Sequence, residues 1–152
     1  MKTWLESILP AQALDIKVVE WDGRRVELAA PLAPNLNDKG TAFAGSIDAL
    51  LDLAGWSAIT LALRDAGIEA QVMIVKSATE YTAAVRADMT ANTVIPAGEM
   101  EHVVQEIKRR GRSRLAIQSH LEAGGVPCAA MTAHYAIITA GTIIQTHGRE
   151  SG

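Results

Sequence analysis

Ala42–Leu63 reads AFAGSIDALLDLAGWSAITLAL, and this stretch decides the fold. Apolar side chains recur along it every three or four positions, which is the period of an α-helix. The opposite side is also apolar, because it carries Trp56 and Leu63. A helix that is apolar all round is a buried helix, so we expect it to form the centre of the core. Gly45 and Ser46 lie near its start, where a capping residue is expected.

Strand patterns lie on both sides of this helix. Two alternating stretches precede it and further apolar stretches follow it, and the pairs Asp22-Gly23 and Gly124-Gly125 are typical of hairpin turns. Short helices are predicted over residues 1–14 and from Pro96 onward. The predicted strands are 15–21, 25–30, 72–75, 78–85, 89–95, 113–122 and 126–139. Strands grouped around one buried helix indicate an α+β fold with an antiparallel sheet wrapped around that helix.

Composition limits the classes of protein to consider. The 152 residues suffice for one domain, with a polar tail over 142–152. Lys and Arg number 14 against 17 Asp and Glu, which argues against a nucleic-acid-binding protein. We see no run near the ~20 apolar residues of a membrane span and no signal-peptide pattern, so a cytoplasmic protein is expected. One cysteine, Cys128, excludes an intrachain disulfide and a cysteine-cluster zinc site, and the histidines show no metal-binding spacing.

The loop before the central helix is the first candidate for chemistry. Residues 34–46 read PNLNDKGTAFAGS and place glycines at the start of a buried helix. Backbone N–H groups at a helix start are unpaired and carry partial positive charge. Glycine would let a substrate approach them, so they could stabilise an oxyanion formed at an attacked carbonyl. The same residues are equally typical of a simple turn with glycines used for packing.

Two acids on the central helix are the second candidate. Asp48 and Asp52 are one turn apart and share a face of the helix. Acids on an apolar helix are costly when buried without partners, so this face meets a cleft or solvent, or one acid has a raised pKa. A carboxylate with a raised pKa facing an oxyanion site suits a general base or a nucleophile. The alternative is that acids early in a helix simply complement its dipole.

Other motifs are less specific. The basic run Lys108–Arg114 could bind a ligand phosphate, or it could be the solvated end of a helix. The serine-hydrolase G-x-S-x-G motif, the P-loop and the dinucleotide fingerprint are absent from the sequence.

The spacing of the loop and helix residues resembles that of a known family. The motif is Asn35-x-Asn37-x-x-Gly40-Thr41-x-Phe43-Ala44-Gly45-Ser46, with Gly55-Trp56 a few turns later. It resembles the thioesterase domain found at the C-terminus of some acetyltransferase-like proteins, the YiiD C-terminal domain. Ser77–Asp88, with Tyr81, and Arg110-Gly111-Arg112 resemble two further stretches of that family. The resemblance covers about residues 30 to 139.

That family is similar to the hotdog thioesterases. The resemblance implies a homodimer, or a dimer of dimers, with sites at the subunit interface. It also implies that an acid on the central helix acts as base or nucleophile, while amides near Gly45 and Ser46 polarise the thioester carbonyl. Alignment on Ala44-Gly45 places the acid at Asp52, and alignment on Lys39-Gly40 places it at Asp48. We favour Asp52, although relatives often lack an acid at either position.

The resemblance also suggests substrate-binding residues. Asn35 and Asn37 would fix the loop or bind the ligand, and Lys39, which replaces a histidine of many relatives, could pair with an acid or a phosphate. Gly40, Thr41 and Phe43 complete the loop. Arg110 and Arg112 are the candidates for the phosphates of coenzyme A.

The function expected from this resemblance is hydrolysis of an acyl thioester of coenzyme A or of an acyl carrier protein. No cofactor is expected beyond the coenzyme A of the substrate, and neither nucleic acid nor a membrane is an expected partner. Two alternatives stay open. The domain could bind an acyl ligand without catalysis, or it could transfer acyl groups in fatty-acid metabolism.

Overall fold

The computed structural model describes residues 3–139, with side chains from Leu5 onward. Six strands form one sheet in the order β1-β2-β4-β5-β6-β3. Every neighbouring pair is antiparallel, and β1 and β3 are the two edges. The strands are β1 (Lys17–Trp21), β2 (Arg25–Ala30), β3 (Ala70–Tyr81), β4 (Met89–Val94), β5 (Arg112–Ala123) and β6 (Val126–Thr139).

Four α-helices accompany the sheet. They are α1 (Thr3–Glu6), α2 (Leu9–Ala13), α3 (Ala44–Asp65) and α4 (Glu99–Arg110), and a 3₁₀ turn spans Ala33–Asn35. The long helix α3 packs against strands β2 to β6, and twelve of its residues are buried. The predicted sheet around a central helix is therefore confirmed.

Alternation and turn chemistry set the register of the strands. In β5 every second side chain is buried, from Ser113 to Ala123, because one face of the sheet lies against α3. The Asp22 carboxylate accepts the amides of Arg24 and Arg25 at 2.9 and 2.7 Å, which closes the first predicted hairpin. Gly124 and Gly125 both have positive φ, as a tight turn between β5 and β6 requires.

Two segments differ from their predictions. The helix predicted over residues 1–14 is not continuous over the described residues 3–14, because Pro10 lacks an N–H and its ring would clash with the carbonyl of Glu6 in a continuous helix. Ile8 accordingly has extended backbone angles, and α1 and α2 are separate. The predicted strands 72–75 and 78–85 are instead one strand, β3, whose register shifts by a bulge between Ile74 and Lys76. This strand ends at Tyr81, so residues 82–85 are not part of a strand. The bulge breaks the alternation that the sequence pattern relies on. The predicted polar tail lies outside the described residues.

The helix starts also differ. Phe43, with ψ of 132°, is the N-cap of α3, so the helix begins at Ala44 and not at Ala42. Gly45 and Ser46 lie inside its first turn, and no side chain caps it. Likewise α4 begins at Glu99 and not at Pro96, because Gly98 takes a left-handed φ of 87°.

One helix, α3, is long and apolar enough to cross a membrane by length and composition alone. The expectation that no stretch meets this criterion was therefore wrong. In the folded chain 67% of its most apolar window is buried, as in the core helix of a soluble protein.

Candidate functional site between α3 and β3

The central helix runs alongside the edge strand β3, and two side-chain hydrogen bonds hold them together. The Thr79 hydroxyl donates to the Asp48 carboxylate at 2.6 Å. The Trp56 indole N–H donates to the Val72 carbonyl at 2.9 Å. Since Asp48 precedes Trp56 in α3 while Thr79 follows Val72 in β3, the helix and the strand run in opposite directions. Asp52 therefore lies midway along the gap between them.

A buried tyrosine contacts Asp52 from the sheet. Tyr135 of β6 has no exposed surface, and its hydroxyl lies 2.8 Å from the Asp52 carbonyl oxygen and 3.3 Å from a carboxylate oxygen. The hydroxyl also lies against Gly55, where a Cβ atom would overlap the phenol oxygen. A glycine in a helix interior is unfavourable, so its presence here is explained by this close approach.

The surroundings of Asp52 disfavour its charged form. Burial is the largest effect and raises the pKa of the Asp52 carboxyl above its ordinary value, the hydrogen bond from Tyr135 opposes that rise, and the nearby charge of Asp48 adds to it. Burial, followed by the charge of Asp52, raises the pKa of Tyr135 far above its usual value. The Tyr135 hydroxyl therefore stays protonated and acts as a donor. A carboxyl with a raised pKa in a cleft is typical of a general base.

The edge strand is irregular and exposed at this level. Ile74 pairs with Tyr135 and Lys76 pairs with His134, so Val75 is the extra residue of a bulge. Val75 is 49% exposed and Ile74 is 38% exposed. Bulges are frequent beside active sites, where they redirect a strand.

Two unpaired amides lie at the start of α3. The amides of Ser46 and Ile47 donate to the Phe43 carbonyl at 3.0 and 3.2 Å. Over residues 3–139, the amides of Ala44 and Gly45 have no acceptor. The oxyanion donors available here are thus Ala44 and Gly45, and the predicted role of the Ser46 amide is not supported by this geometry. The Ser46 side chain is also buried.

The Phe43 ring explains why residue 45 of the helix is a glycine. A Cβ atom on Gly45 would overlap the Phe43 ring, which itself is 56% exposed. Gly45 thus accommodates an exposed ring that can move, in contrast to Gly55, which accommodates a buried one.

The two predicted asparagines organise the loop. Asn35 is buried and donates its amide to the carbonyls of Leu14 and Pro31 at 3.0 and 2.7 Å. Asn37 donates to the Thr41 hydroxyl at 2.8 Å and accepts that residue's amide at 3.1 Å. Of the two roles left open for the asparagines, the structure supports fixing the loop. Asn35 in particular is 1% exposed and offers no surface to a ligand.

The remaining loop residues lie at the surface. Lys39 is exposed and pairs with Asp38 at 3.0 Å, which is one of its two predicted pairings. Gly40 has a left-handed φ of 79°, so the turn requires a glycine there. Thr41 and Tyr81 line an open groove of about 390 Å³ beside the start of α3. Burial, followed by the charge of Asp48, raises the pKa of Tyr81. Ile47 also lines the groove, so the groove lies beside the turn of α3 that carries Asp48.

The two predicted arginines are not brought to this gap within one chain. Arg110 donates to the Glu106 carboxylate at 2.7 Å. Arg112 is exposed and alternates along β5 with the buried Ser113, so it lies on the outer face of the sheet, whereas α3 packs against the inner face.

Sequence reasoning missed Tyr135 and Thr79. Tyr135 belongs to no motif, and Thr79 lies within the Ser77–Asp88 stretch but was not singled out there. Their sequence separations from Asp52 and Asp48 are 83 and 31 residues. Gly55 was the available signal, since an interior helix glycine often marks close packing against a bulky side chain.

Comparisons with known proteins agree with this architecture. The model of the family described as "Putative thioesterase (yiiD_Cterm)" matches residues 1–139. A protein of unknown function from Chlorobaculum tepidum TLS is similar, with a TM-score of 0.84, 26% identity and 91% of each chain covered. A "putative thioesterase" from Shewanella oneidensis gives a TM-score of 0.77 at 23% identity, over 90% of this chain and 92% of that one. A "probable thioesterase" from Pseudomonas aeruginosa gives 0.78 at 19% identity, over 88% and 89%. The chain therefore has the hotdog fold and belongs to the thioesterase family of the yiiD C-terminal type.

Proposed function

We propose that this protein hydrolyses acyl thioesters of coenzyme A or of an acyl carrier protein, with Asp52 as general base. The proposal rests on one observation. The Asp52 carboxyl lies between α3 and an exposed edge strand, and burial raises its pKa. The family match supports thioester hydrolysis as the reaction class.

In the proposed reaction Asp52 removes a proton from a water molecule, whose oxygen attacks the thioester carbonyl carbon. The carbonyl oxygen becomes an oxyanion, which the free amides of Ala44 and Gly45 stabilise. The intermediate then expels the thiolate, which takes up a proton, so that one acid and one thiol form per water consumed. The groove lined by Thr41 and Tyr81 is the place that we propose for part of the substrate.

Distance along the helix favours a site built from two chains. Gly45 and Asp52 are seven residues apart, which is ~10 Å along an α-helix at about 1.5 Å per residue. A carbonyl bound to the Gly45 amide and a water bound to Asp52 would bridge this distance within one chain only if the hydrogen bonds and the carbonyl were nearly in line. We therefore propose that the amides and the carboxylate acting on one carbonyl come from two copies of the chain.

The surface of β3 supports a second copy as the partner. As an edge of the sheet, β3 leaves one row of backbone groups unpaired along Ala70–Tyr81. Met73, Ile74, Val75 and Tyr81 are all 38% exposed or more. Unpaired backbone and exposed apolar side chains together favour strand pairing between chains.

Turnover of a panel of acyl thioesters by Asp52→Asn tests the base. We expect kcat/KM to fall by ~10²–10⁴-fold, the usual contribution of a general base. Asp65→Asn, the same change at the other end of α3, is the control and should keep wild-type turnover. If Asp52→Asn keeps wild-type activity and Asp48→Asn loses it, the base is Asp48. If both variants keep full activity, a helix carboxylate is not the base. Thermal stabilisation by acyl ligands without product would instead favour the binding-protein alternative.

A further inference from the structure

The contact between Tyr135 and Asp52 has a role beyond packing. Among the described residues Tyr135 is the largest fully buried side chain, yet its polar end reaches Asp52 on α3. A buried hydroxyl needs a partner, but the Asp52 carbonyl at 2.8 Å already satisfies it. The second contact, to the carboxylate at 3.3 Å, is therefore not required for burial of the phenol.

Gly55 makes this contact possible. The phenol oxygen occupies the space that a Cβ atom at position 55 would fill. Both hydrogen-bond contacts of the Tyr135 hydroxyl are with Asp52, so this space at Gly55 lets the phenol reach Asp52.

We propose that Tyr135 is a positioning residue for Asp52: its hydroxyl, admitted to the helix surface by Gly55, orients the carboxylate and favours its charged form. The catalytic part of this inference, that Tyr135 assists a general base, rests on the proposed function. The physical claim, that the phenol and the carboxylate are coupled, stands on the two distances and on the glycine.

The ionisable groups around Asp52 make the coupling measurable. On α3 the neighbour is Asp48, whose charge raises the pKa of Asp52, and on β6 it is Tyr135, whose hydrogen bond lowers that pKa. On β3, Tyr81 lies near Asp48, while Lys76 and His134 pair at a position that alternates to the outer face of the sheet. Removing the Tyr135 hydroxyl and removing the Asp48 charge should therefore move Asp52 in opposite directions.

The test is carbon-13 NMR titration of the Asp52 carboxyl in the full chain, together with the pH profile of kcat/KM. In Tyr135→Phe the Asp52 midpoint and the acidic limb of the profile should both move to higher pH. In Asp48→Asn both should move to lower pH. Ser119→Ala, which removes a different buried hydroxyl that contacts Thr93 at 2.6 Å, is the control and should shift neither.

The outcomes separate this inference from the proposed function. An Asp52 midpoint in Tyr135→Phe equal to that of the wild type overturns the positioning role, whatever the activity. An upward shift of the Asp52 midpoint in Tyr135→Phe supports the coupling even if the protein hydrolyses no thioester. A lack of thioester hydrolysis by the wild type would count against the proposed function and not against the coupling. Should Tyr135→Phe fail to fold, the Asp52 midpoint in Gly55→Ala decides in the same way, since the added methyl group displaces the phenol oxygen.

Discussion

At the scale of single residues, the site combines an acid whose charged form is disfavoured by its surroundings with a phenol that favours that form. Burial and Asp48 raise the pKa of Asp52, and Tyr135 lowers it. A carboxyl with a raised pKa is a stronger base than an ordinary aspartate, which suits proton transfer. Asp48, by contrast, is fixed by a short hydrogen bond from Thr79. We therefore assign the proton transfer to Asp52 and an electrostatic role to Asp48.

The raised pKa of Asp52 also predicts how stability depends on pH. A carboxyl whose pKa is higher in the folded chain than in the unfolded one favours folding while it is protonated. The carboxyl contributes its full stabilisation below its pKa in the unfolded chain, and this stabilisation is lost as pH rises through its pKa in the folded chain. Asp52→Asn has no carboxyl to ionise at this position. The melting temperature of the variant should therefore rise relative to that of the wild type as pH increases above 4. Parallel Tm curves from pH 4 to pH 8 would contradict the raised pKa.

At the scale of secondary-structure elements, α3 carries the proposed base and the free amides, and each of its two glycines is explained by a different aromatic ring. Gly45 lies under the exposed Phe43 ring and Gly55 lies under the buried Tyr135 phenol. Replacing a helix-interior glycine by alanine ordinarily stabilises by up to ~1 kcal/mol. That gain in stability requires space for the added methyl group. The available space differs between positions 45 and 55.

Alanine substitution at both glycines measures this difference. Gly55→Ala should lower the free energy of unfolding by ~1–3 kcal/mol, the usual cost of overpacking, because the buried phenol has no free space to move into. Gly45→Ala is the matched variant and should leave stability nearly unchanged, since the Phe43 ring can swing into solvent. Urea denaturation of both variants gives the comparison. Equal stabilities for the two variants would show that Tyr135 is not packed tightly against the helix.

Elements that arise from local sequence patterns could be predicted from the sequence, and those that depend on distant contacts could not. The period of the α3 residues and the Gly124-Gly125 turn were enough to predict the buried helix and the last hairpin, because both depend on local patterns. The bulge at Val75 and the contact from Tyr135 to Asp52 depend on pairing across long sequence separations. No local pattern encodes such contacts. The sequence analysis predicted the oxyanion donors near Gly45 and Ser46, because the exact start of a helix is not encoded in its apolar period. The extended backbone of Phe43 makes Ala44 the first helical residue, so the free amides are those of Ala44 and Gly45.

At the scale of the whole molecule, one chain leaves its edge strand exposed and separates the two halves of the proposed chemistry along α3. Both observations have one explanation if two copies meet at β3. A symmetric dimer would then hold two equivalent sites. Its interface would cover the apolar residues that the single chain leaves exposed.

A charge placed on the edge strand tests this arrangement. Val75→Glu should convert a dimer to a monomer in light scattering and abolish turnover, because two buried like charges would face each other across the interface. Val75 is half-exposed in the single chain, so its fold should persist by circular dichroism. Val126→Glu, at an equally exposed position in the β5–β6 hairpin, is the control and should remain dimeric. A dimeric, active Val75→Glu protein would place the interface elsewhere.

Mixed dimers test most directly whether two copies share each thioester. Ala44→Pro removes one free amide and fits the first helical position, since Phe43 is already extended. Dimers of Ala44→Pro alone and of Asp52→Asn alone should each lose at least ~10²-fold in turnover. A purified dimer with one chain of each keeps one site with an intact amide from one copy and an intact carboxylate from the other, so it should recover about half of wild-type turnover. A mixed dimer as inactive as its parents would contradict a site shared between chains.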